Sequence, residues 1–388
     1  MNRSVTWTVY RKELTELLRD RRTLISMVLL PMVVFPLLFG VVGRFMGEAE
    51  KKAATEATTV AIVAGSIPEV FLAPIAKSGL QRVEVPDVAS AVANKTAATG
   101  LSVSADQKSL TIYAEGTRQA SGMAADKLRS ALSEYRDSLV VEKLREVKLD
   151  ASVLTPFTVK RENVASERKM GGFMLGSILG YVVILLMFSG GMYPAIDMTA
   201  GEKERKTIET LLASPARRTD IVLAKILACV TATYLTAVLT TTSLFLSLKR
   251  GGGTMKGMEK MVGNVPTDVS TIGLVLLTLL PVAVMAGALM ISIALRARSF
   301  KEAQSYLTPL IMLAIFPSLL GGLPGMELSP ALSLVPIFNA SQLLKSILQG
   351  DVPLVSFAIT NLANLSYAVL CFALAVRIFN NEKVLFRT

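Results

Sequence analysis

Residues Gly171 to Tyr193 read GGFMLGSILGYVVILLMFSGGMY, an apolar run without a charged side chain and longer than the roughly 20 helical residues that cross a hydrocarbon core. In lipid a backbone must satisfy its polar groups within the segment, so this run reads as a membrane-spanning helix. Working outward, Leu24–Gly43, Ile221–Leu248, Thr271–Leu295 and Phe357–Ile378 carry the same signature. Leu307–Leu320, with a few flanking residues, is a shorter sixth candidate interrupted by Pro309 and Pro317. The expected fold class is therefore an α-helical polytopic membrane protein with six transmembrane helices. The composition agrees, with 52% of 388 residues hydrophobic.

The net charge of +11 would suggest nucleic acid in a soluble chain, but here the basic residues bracket the spans. No nucleic-acid partner is expected. Arg3, Arg11, Lys12, Arg19, Arg21 and Arg22 precede the first span, and Lys203, Arg205, Lys206, Arg217 and Arg218 lie between the second and third. Both segments should be cytoplasmic. Arg296, Arg298 and Lys301 put the loop after the fourth span on the same side, and Arg377, Lys383 and Arg387 do so for the C-terminus. Lys249, Arg250, Lys256 and Lys260 run against this topology, which every other loop supports. The first apolar run follows a charged helix and precedes no small-residue cleavage site, so it reads as a retained anchor.

Four regions follow along the chain. Residues 1–22 contain an amphipathic helix, Thr6–Arg22, with Trp7, Tyr10, Leu14, Leu17 and Leu18 on one face, expected to lie on the cytoplasmic membrane surface. The first span occupies 23–47. Residues 48–169 form an extracytoplasmic insert large enough for its own core. Its pattern alternates strands (Thr59–Ala64, Gln81–Val85, Leu101–Ser104, Leu110–Ala114) with helices (Ile67–Lys77, Ser90–Asn94, Gln119–Val147), and Phe157–Val159 reads as a last strand. That describes an α/β domain between the first and second spans. Residues 170–388 hold spans two to six.

Between spans two and three, Gly201 to Pro215 reads GEKERKTIETLLASP. On a helical period Ile208, Leu211 and Leu212 share a face, while Glu202 with Lys206 and Arg205 with Glu209 are opposite charges four apart. Pro215 disfavours helix at Ser214, so residues 201–214 read as one short rigid helix suited to a partner's groove. Later, residues 321–353 are rich in Gly and Pro yet apolar. There Asn339-Ala-Ser-Gln342 resembles a capping box for a helix that stops near Gly350, expected to be interfacial or re-entrant and to close the outer side of a cavity.

The chain has no histidine, and Cys229 and Cys371 lie in expected spans, which removes H-E-x-x-H sites, Ser-His-Asp triads and a disulfide framework. No catalytic residue or metal site is expected, and the chain reads as no enzyme. No phosphate-binding G-x-x-x-x-G-K-[ST] motif is present, and Gly251–Lys256 lacks its spacing. ATP, if used, binds another polypeptide. Only Lys225 lies deep in a span, with a stem long enough to reach the cytoplasmic surface. Thr233, Thr236 and Thr240 in the third span and Asn361 and Asn364 in the sixth are candidates to line a translocation path, though hydroxyls and amides equally join helices.

Four segments together resemble the permease (transmembrane) subunits of ATP-binding-cassette exporters of the type-2 class, and within it the NatB-like sodium-efflux group. They are Lys12–Leu24 running into Leu30-Pro31 and Phe35-Pro36, then Gly201–Pro215, Leu323–Leu328, and Pro336–Asn339 through Gly350. The resemblance implies a homodimeric permease in a prokaryotic plasma membrane, paired with two copies of a separate ATPase that holds ATP and Mg, with no cofactor on this chain. It implies that 201–214 is the coupling helix and Thr6–Arg22 the elbow beside it. Contacts to the ATPase would come from Glu202, Glu204, Arg205, Ile208, Glu209, Leu211 and Leu212, with Arg11, Lys12 and Glu13 on the elbow. The implied cargo is sodium, and a lipid, peptide or drug-like amphiphile fits uncharged spans equally. A different class of function, a membrane-anchored sensor or mechanotransmitter moved by an ATPase without transport, uses the same features.

Overall fold

The computed structural model describes residues 3–104, 109–146, 167–251, 265, 267–321, 323, 326 and 328–380. The chain divides into two compact units, Met1–Val42 with Val164–Thr388, and Gly43–Asn163. Helix α1, Arg3–Leu17, leads to α2, Arg21–Leu24, whose N-terminus is capped by the Asp20 carboxylate on the Arg22 and Thr23 amides. A π turn, Ile25–Leu29, then passes into α3, Leu30–Glu56. The expected single amphipathic helix over Thr6–Arg22 is thus two, because Asp20 ends one and starts the next. Tyr10, Leu14 and Leu17 of the expected apolar face pack on the core together with Glu13, while Trp7 and Leu18 stay exposed.

The inserted unit is α/β. Strands β1 Thr59–Ile62, β2 Gln81–Glu84, β3 Thr99–Val103 and β4 Leu110–Tyr113 form one sheet in the order β2-β1-β3-β4. β1 runs parallel to β2 and β3, and β4 is antiparallel to β3. Helices α4 Leu72–Lys77, preceded by a 3₁₀ turn at Glu69–Phe71, α5 Val88–Ala93 and α6 Gln119–Glu146 supply its covers. Alternation along β1 separates two cores: Val60 and Ile62 pack with Ile75, Leu101 and Leu128, whereas Ala61 packs with Val88 and Ala91. Each element expected from Thr59 to Glu146 forms; the strand read at Phe157–Val159 lies outside the described residues.

The membrane unit continues with α7 Glu167–Ile196, then α8 Glu202–Glu204 and α9 Thr207–Leu212, then α10 Arg218–Gly251, α11 Val269–Ala294, α12 Phe300–Gly321, α13 Phe338–Gln349 and α14 Leu354–Phe379. Among the described residues six helices are long and apolar enough to cross a membrane: Arg21–Val41, Gly171–Glu204, Arg218–Lys249, Val269–Ala294, Phe300–Gly321 and Leu354–Phe379. The fifth is longer than its apolar stretch because Phe300–Tyr306 adds a polar first part, and Pro309 and Pro317 sit within it. The basic residues Lys256, Lys260, Lys383 and Arg387 lie outside the described residues.

Helix α13 lies within 321–353, the segment expected to be interfacial or re-entrant. Ten of its twelve residues, among them Asn339, Leu343, Leu344 and Leu348, are buried against the spans. Glycines four apart on α7 let it in: a Cβ at Gly172 would stand 2.6 Å from the Gln349 Cα, at Gly176 2.6 Å from the Lys345 Cα, and at Gly180 3.1 Å from the Ser341 Cβ. This small-residue stripe brings the two backbones together. Asn339 is not the expected cap. It lies inside the helix, after Ile337 at φ 71°, and its amide pairs with that of Asn364 on α14 at 3.3 and 3.2 Å while donating to the Ser333 carbonyl at 2.8 Å. The helix does stop at Gly350, in the left-handed region at φ 80°. Gly176→Ala is expected to lower the unfolding midpoint of the purified protein, by overpacking worth about 1–3 kcal/mol. Gly273→Ala should not lower it, since a Cβ there meets nothing within 4 Å.

Candidate docking site

The second span does not end at Tyr193. It continues through a π turn, Asp197–Gly201, into α8, and the chain then reverses at Lys206, which takes the left-handed conformation at φ 58°, ψ 18°, before α9. The single helix expected over 201–214 is therefore broken, and the pairs Glu202–Lys206 and Arg205–Glu209 are replaced by stronger partners. Glu202, 3% exposed, accepts from Lys225 Nζ at 2.7 Å and from Lys12 Nζ at 2.9 Å. Arg205 bridges Asp197 at 2.7 Å.

Lys225 does not reach the surface. It is 1% exposed, held between Glu202 and Glu13 of α1 at 2.7 Å each. Lys12 adds a contact of 3.0 Å to Glu16, so two lysines lie among three carboxylates from α1 and α8. Oxygens of Glu13, Glu16 and Glu202 come within 4.8 Å of one another, and the ammonium groups supply the countercharge. Burial pushes the Glu13 carboxyl pKa up, with Lys225 acting against it. For Lys12 burial works downward, but the Glu13 and Glu202 carboxylates outweigh it and the ammonium pKa is raised. An ionisable residue within a span calls for a partner, which was the available sequence signal for this cluster; the partner's identity was not legible.

The next residues tie the same loop to two more spans. Lys203 donates to the Leu295 carbonyl and, at 3.2 Å, to that of Ala297, at the C-terminus of α11. Glu204 accepts from the Phe300 amide at 2.8 Å, at the start of α12. Ile208 is buried in the core of the membrane unit and so anchors α9 instead of forming part of an exposed ridge. Lys206, Thr207, Glu209, Thr210 and Ala213 remain exposed. Leu211 is half-buried, and the side chain of Leu212 is outside the described set. Arg11 is exposed on α1. Between α1 and this loop lies a cavity of about 620 Å³ lined by residues including Lys12, Glu16, Arg205, Thr210 and Leu211. Such an arrangement offers a partner a polar, half-open socket on a foundation wired to α1, α10, α11 and α12.

The three hydroxyls of the third span named as path candidates are packed. Thr233, Thr236 and Thr240 bond back to the carbonyls of Cys229, Ala232 and Thr236 at 2.6–2.9 Å, and all three are buried. Thr236 and Thr233 lie against Gly190 and Gly191 of α7, leaving no room for a Cβ at either glycine. Asn364 is spent on Asn339, and Asn361 donates to the Phe357 carbonyl at 2.9 Å. Thr233, Thr236 and Asn364 thus contact neighbouring helices, while Asn361 bonds within its own.

The family model described as ABC-2 family transporter protein matches residues 7–384. The chain is 29% identical over 361 residues to the ABC transporter permease protein NatB of Bacillus subtilis (strain 168), covering 89% of this chain and 90% of that one. No solved structure matches the chain significantly. A six-span chain matched from its first helix to beyond its last described one by a single family model belongs to the ABC-2 transporter family, as a permease subunit whose family implies a partner ATPase.

Proposed function

We propose that this chain is the membrane subunit of an ATP-driven exporter, non-catalytic itself, whose α1 and 201–214 loop seat a separate ATPase on the cytoplasmic face. The observation that carries this reading is the loop's construction: its exposed residues Lys206, Thr207, Glu209 and Thr210 face outward, while Glu202, Lys203 and Glu204 bond to four different helices. A push on the exposed side therefore reaches α1, α10, α11 and α12 together, as rigid-body switching between two packings requires. Two copies of the chain pair with two ATPase chains that hold ATP and Mg. Both termini lie in the cytoplasm of a prokaryotic cell, and the α/β unit lies on the opposite side of the plasma membrane. The cargo is sodium or an uncharged-cavity substrate such as a lipid, peptide or drug-like amphiphile.

The test is purification of the tagged chain from its native membranes in mild detergent, with mass spectrometry of what co-purifies. A soluble ATPase at one copy per chain is expected. Recovery of intact dimer with no ATPase overturns the reading. Cargo is then assigned in vesicles holding the complex, where ATP should drive movement of sodium, or failing that of an amphiphile, only when both chains are present.

A further inference from the structure

The inserted unit holds a second cavity, about 620 Å³, beside its larger core. Phe71, Leu110, Ile112 and Leu132 form an apolar wall, and each is only half-buried although three of them pack on the core beneath. Arg129 and Arg136 also line it, seven residues apart on α6 and so on one face, about 10 Å apart along the axis. The two arginines are not equivalent. Arg136 is neutralised by Asp137, to which Nε and Nη2 donate at 2.9 and 2.7 Å. Arg129 is exposed and has no carboxylate within ion-pair distance among the described residues.

An apolar concavity of this size with one uncompensated guanidinium at its edge matches a ligand that is apolar along its length and negative at one end. A carboxylate takes a bidentate pair of hydrogen bonds from a guanidinium, and a volume suited to one drug-sized molecule suits one alkyl chain better than two. We propose that this cavity binds a single-chain anionic amphiphile, its carboxylate on Arg129 and its tail along Phe71, Leu110, Ile112 and Leu132. Occupation covers apolar surface that the unit leaves half-exposed. The site does not rest on the transport reading, since all of its residues lie within the inserted unit.

The test uses the full chain in lipid nanodiscs and octanoate carrying a terminal diazirine, with illumination followed by peptide mass spectrometry. Labelling is expected on the peptides holding Leu110, Ile112 and Leu132, with competition by octanoate and none by octylamine. Arg129→Gln should raise the half-saturating concentration at least about tenfold, the loss of one charge-assisted pair. Lys143→Gln, an exposed cation on the same helix outside the cavity, should leave it unchanged. Label spread along the surface of α6, equal competition by octylamine, or an unchanged Arg129→Gln titration each overturns the proposal.

Discussion

Lys225→Met is expected to destabilise the purified protein by about 3–5 kcal/mol, because it leaves the buried Glu13 carboxylate with only the longer 3.5 Å contact to the half-exposed Lys12 and strips one cation from Glu202. Removing one partner of a buried pair costs far more than removing the set. The triple variant Lys225→Met, Glu13→Gln, Glu202→Gln should therefore recover most of the lost stability, since uncharged side chains of similar size need no countercharge. Thermal unfolding of the single, triple and parent proteins in one detergent separates the cases. A single variant as stable as the parent would mean that the cluster does not hold α1 and α8 on α10.

A second substitution should do the opposite. Glu209→Arg lies on the exposed side of α9, so its stability should stay within about 0.5 kcal/mol of the parent. Association with the ATPase should fall by about 2 kcal/mol, near thirtyfold, if Glu209 lies at the centre of the contact. The pair of results distinguishes foundation from face: Lys225→Met loses the partner by loosening the loop, and Glu209→Arg loses it with the loop intact. Binding of the purified ATPase to each variant, measured beside unfolding, is the check. Unchanged binding by Glu209→Arg removes that residue from the interface.

The spans and the strands of the inserted unit were legible because each is announced by local periodicity. Apolar length marks Gly171–Tyr193 without any partner, a short β-branched apolar run marks Thr59–Ile62, and alternation marks Leu110–Tyr113. The loop after the second span was misread for a physical reason. Its i,i+4 charges favour a continuous helix in water, but tertiary partners 190 and 23 residues away from Glu202 offer shorter, buried contacts, and the helix breaks at Lys206 to reach them. Asn339 was read as a cap because cap and interior Asn look alike in sequence; only Asn364, 25 residues on, distinguishes them. The glycines at 172, 176 and 180 were a local signal that went unread, a four-residue repeat of small side chains in an apolar run. Among the coupling residues the types were legible and the directions were not: Glu202 and Ile208 face inward, Glu209 outward.

The most direct measurement places a photo-crosslinking amino acid singly at Glu202, Glu209 and Thr210 of the full chain, with the ATPase co-expressed, and scores its capture after illumination. Capture from positions 209 and 210 but not from 202 is the predicted result. Capture from none of the three, with the complex otherwise intact, would contradict the claim that the exposed side of this loop is where the ATPase engages the membrane subunit.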